Sequence, residues 1–227
     1  MEASTLEGDK GKAVVGRNFT VTATRFVLAA SCVENARLLL YKTDLKKTHW
    51  ALGNYLMTHP LIRQAATFTT SNDLKDPVGK VDFNCEQWPN QTNRIELSLP
   101  SEPTDPVFHD PVAKVTIELK DEDYRTIFTG LDAVGAALEA KGHAVKKSFS
   151  RFKDKGDIIV TGEHAMGATR MGTSTNNAVV DSDCKVFQIS NLYVAGGSVF
   201  PTGGWANPTL TIIALAVRLA RHLAKLK

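Results

Sequence analysis

Cysteine is scarce, and its three copies, Cys32, Cys85 and Cys184, stand far apart without a CxxC spacing or a Cys/His pairing. That excludes a zinc site of ordinary ligand spacing and a secreted disulfide framework, and it predicts free thiols. No apolar run reaches the roughly 18 residues a spanning helix needs, so a membrane-crossing segment is not expected. The opening MEASTLEGDKGK has no apolar core of the kind a signal peptide carries, and the expectation for the chain as written is a soluble, cytoplasmic protein. Neither sign of charge forms a block. With 27 Lys and Arg against 24 Asp and Glu, the net charge of +3 gives no basis for a nucleic-acid partner. Internal repeats and low-complexity stretches are also missing. What remains is a chain of 227 residues, 43% hydrophobic, long enough for one large domain or two modest ones.

The segment FTVTATRFVLAA alternates at Phe19, Val21 and Ala23 and then runs continuously apolar from Phe26 to Ala30, which predicts a half-buried strand followed by a fully buried one. VENARLLLYK follows, with Val33, Ala36, Leu39 and Leu40 on one helical face. Strand, tight turn and helix is the grammar of a nucleotide-binding α/β layer. The middle of the chain differs. LIRQAATFTT, NRIELSL and VAKVTIELK read as strands, the last two alternating at Ile95, Leu97, Leu99 and at Val115, Ile117, Leu119. Prolines 100, 103, 106 and 111 punctuate the connection between them, as expected for an antiparallel pair with a long loop. A helix is predicted from the acidic Asp121, Glu122 and Asp123, through Ile127, Leu131, Val134 and Leu138, to a stop at Gly142. A long apolar helix closes the chain from Pro208 to about Leu226, its stripe Leu215, Leu219, Leu223 suited to core packing and its basic face to a membrane surface.

Three stretches of the last third belong together: EHAMGATRMG around His164, NLYVAGGSVFP from Asn191 to Pro201, and TGGWANPTLTI from Thr202 to Ile212. In this order they resemble the C-terminal signature of the glucose-methanol-choline oxidoreductases, flavoenzymes that oxidise alcohols by passing a hydride to FAD. LAASCVENARLLL resembles the family's strand-turn-helix beside the FAD adenosine, and LGNYLMTHP resembles its GRNLMDHP-like segment. NRIELS and the loop at Asp105 and Pro106 fit its substrate domain. The likeness runs with gaps from about Phe19 to Leu223.

The chemistry can be argued from residue types. Expelling hydride from a carbinol carbon requires the hydroxyl proton to leave, and a neutral imidazole suits that base role near pH 7. His164 is the candidate. Taken alone it reads as a surface or hydrogen-bonded histidine, and the matched motifs turn it into the base. A second polar group should hold the same oxygen, which the carboxamide of Asn207 can do without titrating. Asn207 also suits a plain helix cap, and Pro208 the first helical position, so a helix is expected to begin at the site. Its N–H groups at Thr209 and Leu210 could stabilise negative charge on a reduced flavin. The resemblance implies that Ala195, Gly196 and Gly197 approach the flavin's ribityl and phosphate portion, although alone they read as a strand-ending turn. Asn207, Pro208 and Thr209 complete the implied cofactor contacts. His59, before Pro60, reads as a loop residue and has no assigned role, and His49 and His109 read as exposed.

No GxGxxG dinucleotide fingerprint occurs in the sequence. The expectation is therefore an α/β fold, α+β overall: part of an FAD-binding Rossmann-like layer plus an antiparallel-sheet substrate domain with covering helices. The end of the FAD domain would be 1–48, the substrate domain 49–160, and 161–227 a return to the FAD domain bearing His164 and Asn207. The layer's remaining strands should have exposed edges and apolar faces. The implied partners are a small alcohol or sugar substrate and a separate chain carrying the FAD-phosphate motif. The competing reading is a truncated, non-catalytic remnant or interaction subunit that binds no FAD alone. Ser31 and Cys32 stand where the family usually has glycine, which places a side chain where backbone approaches adenosine.

Overall fold

The computed structural model describes residues 2–9, 12–69, 79–147, 159–160 and 163–226. In chain order these give β1 (Glu2–Asp9), β2 (Lys12–Thr20), β3 (Phe26–Leu28), α1 (Ser31–Lys42), β4 (Pro60–Thr69), β5 (Gly79–Asn84) and β6 (Arg94–Leu97). There follow β7 (Ala113–Thr116), α2 (Asp121–Glu139), β8 (Ala144–Lys147), β9 (Ile159–Val160), β10 (Leu192–Val194) and α3 (Thr209–Lys225).

β1 and β2 form an antiparallel hairpin, while β3 pairs in parallel with β10. β4 is the centre of an antiparallel sheet in which β5 lies on one side and β8 and β9 pair along the other. β6 and β7 make a separate antiparallel ribbon with Ile95 opposite Val115, packed on α1. The expected antiparallel middle is thus present, divided between two small sheets. The expected Rossmann-like layer is not: among the described residues, parallel pairing is confined to β3 with β10 and an isolated bridge between Met171 and Val180. With a single strand neighbour, β3 leaves Val27 43% exposed, so the prediction of a fully buried run from Phe26 to Ala30 fails. β2 stops at Thr20, and Phe19 and Val21, expected on one buried face of a strand, both stand exposed.

The helices follow their patterns. In α2 the buried Asp123 carboxylate accepts the Lys120 N–H at 2.9 Å and the Trp88 N–H at 2.8 Å, so it stabilises the helix start and ties down the 85–88 segment. Its Ile127 and Leu131 pack with Ile62, Ala65 and Cys85 over the β4 sheet. In α3, Leu215, Leu219 and Leu223 pack on the main core, as their spacing predicts, while Leu210, Ile213 and Val217 on other faces lie open. No described helix is long and apolar enough to cross a membrane.

The main core joins distant segments: Leu39 of α1, Leu52 and Met57, Met166, Val179 and Val180, Tyr193 and Val194, and Leu219. His49, expected to be exposed, is fully buried beneath it. Its Nε2–H donates to the Phe187 carbonyl at 3.0 Å and its Nδ1 meets the Thr48 hydroxyl at 2.9 Å, so both ring nitrogens have partners and burial carries no unpaired polar group. All three cysteines are buried free thiols, as their spacing predicts. Burial pushes the Cys32 thiol up to about 12, which keeps it protonated.

Candidate active site

The His164 region is placed by a short backbone pairing. Met57 and Met166 exchange N–H···O bonds of 2.8 and 2.9 Å in antiparallel register. Two residues along each segment, on the same face, come His59 and His164. Their Nδ1 atoms stand 2.9 Å apart, with ring centroids 4.9 Å apart and planes inclined at 73°. The local sequence builds this from both sides. Gln87, buried, accepts the Thr58 N–H at 3.0 Å and donates to the Glu118 carbonyl at 3.0 Å, bracing the chain one residue before His59.

His59 is fully buried, whereas His164 is half-buried. The second nitrogen of His59, Nε2, lies 2.8 Å from the Gly204 carbonyl, and the N–H of Gly204 donates to Glu86 Oε1 at 2.8 Å. Burial holds the His59 imidazole below its ordinary value; the Gly204 bond works against that, His164 lowers it further, and Glu86 raises it. A chain of contacts therefore runs from the Glu86 carboxylate through the N–H and carbonyl of Gly204 and then His59 to His164.

A second connection links the His164 loop to the Ala195–Gly197 turn. Gly167 N–H donates to Gly197 O (3.1 Å), Thr169 N–H to Ser198 O (3.0 Å) and Met171 N–H to Val199 O (2.8 Å). The turn itself is held by Asn35 of α1, fully buried, whose Nδ2 donates to Ala195 O and Ser198 Oγ, both at 3.0 Å, and whose Oδ1 accepts the Ala30 N–H at 2.9 Å. Gly196 adopts φ +116°, and a methyl built there would meet nothing nearer than Asn35 Nδ2 at 3.8 Å, so its outer side is open. Next to this turn Ser31 carries φ 74°, a left-handed backbone at the position where the sequence comparison expected glycine.

Asn207 is exposed, Pro208 is buried and Thr209 is exposed. The helix begins one residue later than expected: Pro208 supplies the first accepting carbonyl, to Ile212 N at 2.9 Å, and no side chain caps it. Asn207 is therefore not the cap. The reason is that Pro208 already has helical torsions (φ −76°, ψ −10°) and donates no N–H, so the turn closes without a side chain. Gly204, bonded to His59, precedes Asn207 by three residues, and three residues of chain reach at most about 11 Å. No acidic residue occupies the first turn of α3.

Sequence reading missed His59, Glu86 and Asn35. The signal for Asn35 was present, because asparagine inside a helix is unfavourable unless its side chain has work elsewhere. For His59 and Glu86 the contacts join residues over a hundred positions apart, and no local pattern reports them.

A sequence profile described as GMC oxidoreductase matches residues 89–216. The 2-methyl-1,2-propanediol dehydrogenase of Mycolicibacterium austroafricanum is 32% identical over 141 residues, covering 62% of this chain and 24% of that protein. The C-glycoside 3-oxidase of Microbacterium trichothecenolyticum is 37% identical over 117 residues, covering 50% of this chain and 21% of that protein. The matches thus span about a quarter or less of these curated relatives' length. Among solved structures, pyridoxine 4-oxidase from Mesorbium loti superposes with a TM-score of 0.56 at 17% identity, covering 99% of this chain and 57% of that one.

Proposed function

The chain belongs to the GMC oxidoreductase family, and from that premise we propose that it supplies the substrate-side groups of a site that oxidises an alcohol or sugar hydroxyl. The observation that carries this reading is the held imidazole: His164 is fixed through His59 to the loop leading into Asn207 and α3, yet its own ring stays half-exposed. His164 takes the hydroxyl proton as the C–H bond gives up its electron pair, and the carbinol becomes a carbonyl. Asn207 holds the oxygen by its carboxamide, which is exposed and does not cap the helix.

FAD, when bound, supplies the acceptor for the departing hydride. The residues present fit the flavin end of that cofactor. The open left-handed turn at Gly196, flanked by Ala195 and Gly197, permits close backbone approach. The start of α3, just past Pro208, offers the N–H groups of Thr209 and Leu210, of positive character and without a competing carboxylate. The diphosphate end has no counterpart, because the sequence holds no GxGxxG turn. A companion polypeptide bearing that turn is accordingly part of the proposal, as is the division into 1–48, 49–160 and 161–227. The substrate class is proposed from the relatives, whose names cover a diol and a C-glycoside.

The test is flavin content and turnover. The purified chain should show flavin absorption bands only when co-expressed with a GxGxxG-bearing companion. In the loaded assembly His164→Ala should slow flavin reduction by an alcohol roughly 100-fold or more, the usual loss for a general base. An unchanged rate removes His164 from that role. Failure of every companion to confer flavin favours the non-catalytic reading.

A further inference from the structure

We infer that His59 is a positioning residue that keeps the proton of His164 on Nδ1 and thereby presents Nε2 of His164 as the lone pair facing the alcohol. This rests on the reading of His164 as the base, and it goes beyond that reading by saying how the base is held in the right tautomer and by what.

The argument starts at Gly204. Its carbonyl oxygen has no proton to give, so in the 2.8 Å contact His59 Nε2 carries the hydrogen. A neutral imidazole has one N–H, and His59, fully buried, is held neutral chiefly by desolvation. Its Nδ1 is therefore a lone pair. Facing it at 2.9 Å is His164 Nδ1. Two lone pairs at that distance repel, so His164 Nδ1 carries the hydrogen and donates it. Neutral His164 is then bare at Nε2. The opposite arrangement, with His59 doubly protonated and donating, would place a positive charge in the fully buried ring. Among the groups facing His59 are the His164 ring, the Gly204 carbonyl and the Glu86 carboxylate. The Gly204 carbonyl and Glu86 favour the charged form, but burial, the largest influence, and His164 oppose it, and Glu86 acts through the backbone of Gly204, whose N–H it holds at 2.8 Å.

The pair is not symmetric, so the roles cannot be exchanged. His59 has both nitrogens committed and no exposed surface, and it cannot reach a substrate. His164 is the half-exposed member. An outer partner that fixes the tautomer and orientation of an imidazole by accepting its far N–H is a common device, and its loss typically costs 10- to 100-fold in function.

The experiment uses the whole chain labelled with 15N-histidine, read by two-bond 15N–1H correlation, with His164 and His59 signals assigned by single replacements. The expected spectrum has His164 protonated at Nδ1 and bare at Nε2, and His59 protonated at Nε2. A wild-type spectrum with the His164 proton on Nε2 overturns the inference without any variant having to fold. His59→Asn retains an acceptor near the Nδ1 position and should keep the His164 tautomer. His59→Leu removes the acceptor and should give a mixture of tautomers. In the flavin-loaded assembly His59→Leu should slow flavin reduction by roughly 10- to 100-fold, while His59→Asn recovers most of that loss. Equal rates in the two variants with equal His164 tautomers would overturn the positioning role, since a purely structural loss moves both alike. A wild-type spectrum as expected, together with a His164→Ala assembly of unchanged rate, would instead sink the base reading.

Discussion

Gly167 and Gly142 both occupy left-handed backbone, at φ +81° and +85°, and differ in what surrounds them. A methyl on Gly142 would meet nothing within 4 Å, whereas one on Gly167 would stand 2.0 Å from the Tyr55 carbonyl oxygen. An L-residue in the left-handed region costs about 1–2 kcal/mol, and this is the whole expected effect of Gly142→Ala. At Gly167 the obstacle is backbone, which cannot rotate away, so an overpacking cost of roughly 1–3 kcal/mol adds to the strain. The sum, about 2–5 kcal/mol, should lower the melting temperature of Gly167→Ala by roughly 10 °C, against a few degrees for Gly142→Ala. The functional consequence follows from position. Gly167 adjoins Met166, whose exchange with Met57 sets His164 opposite His59, so the methyl separates the two segments at the imidazole pair. Thermal melts of the two variants side by side, followed by circular dichroism, decide the matter. Equal melting temperatures would refute the reasoning, because backbone strain alone would then account for both.

Asn35→Ala removes three hydrogen bonds from a fully buried site and orphans the Ala30 N–H and Ala195 carbonyl; a loss of about 2–4 kcal/mol is expected, read as a lower urea midpoint. Leu219→Ala, at a 4% exposed core position of α3, should cost roughly 2–5 kcal/mol, while Leu210→Ala, at 78% exposure on the same helix, should change stability by less than about 0.5 kcal/mol in the isolated chain. For pH, His59 is held below its ordinary value in the folded chain, so the unfolded state binds the extra proton first. Stability is then insensitive to this group above its unfolded value of about 6.5, and falls as pH drops below that toward the depressed folded value, by at most about 1.4 kcal/mol per pH unit. His59→Asn should flatten the urea-midpoint profile in that window, and an unchanged slope would count against the burial argument.

The helices were legible because their apolar spacing is complete: Ile127 and Leu131 in α2, and Leu215, Leu219 and Leu223 in α3, are the residues that pack. The ribbon of β6 and β7 was legible from alternation at Ile95 and Val115, although Val115 is 48% exposed because only one face of the ribbon meets α1. β3 was misread for a physical reason, since a continuous apolar run implies cover on both faces, while Val27 stands 43% exposed on one of them. His49 was misread because a histidine at the edge of a helix-like stretch looks solvated until the Phe187 carbonyl, far along the chain, is seen to receive its N–H. For the proposed site, the motifs pointed to His164, Asn207 and the Ala195–Gly197 turn, whose roles belong to the proposal. The residues that hold them, His59, Glu86 and Asn35, stayed hidden because their partners arrive by topology and not by spacing.

The central claim is that His164 and Asn207 act on one alcohol oxygen. A double-mutant cycle on flavin reduction in the loaded assembly, with His164→Ala, Asn207→Ala and the pair together, tests it most directly. Groups that share an oxygen lose their effects together, so the double variant should be slowed far less than the product of the two single effects, with a coupling of roughly 0.5–3 kcal/mol. Rates that multiply without coupling would place the two side chains in separate roles and contradict the account.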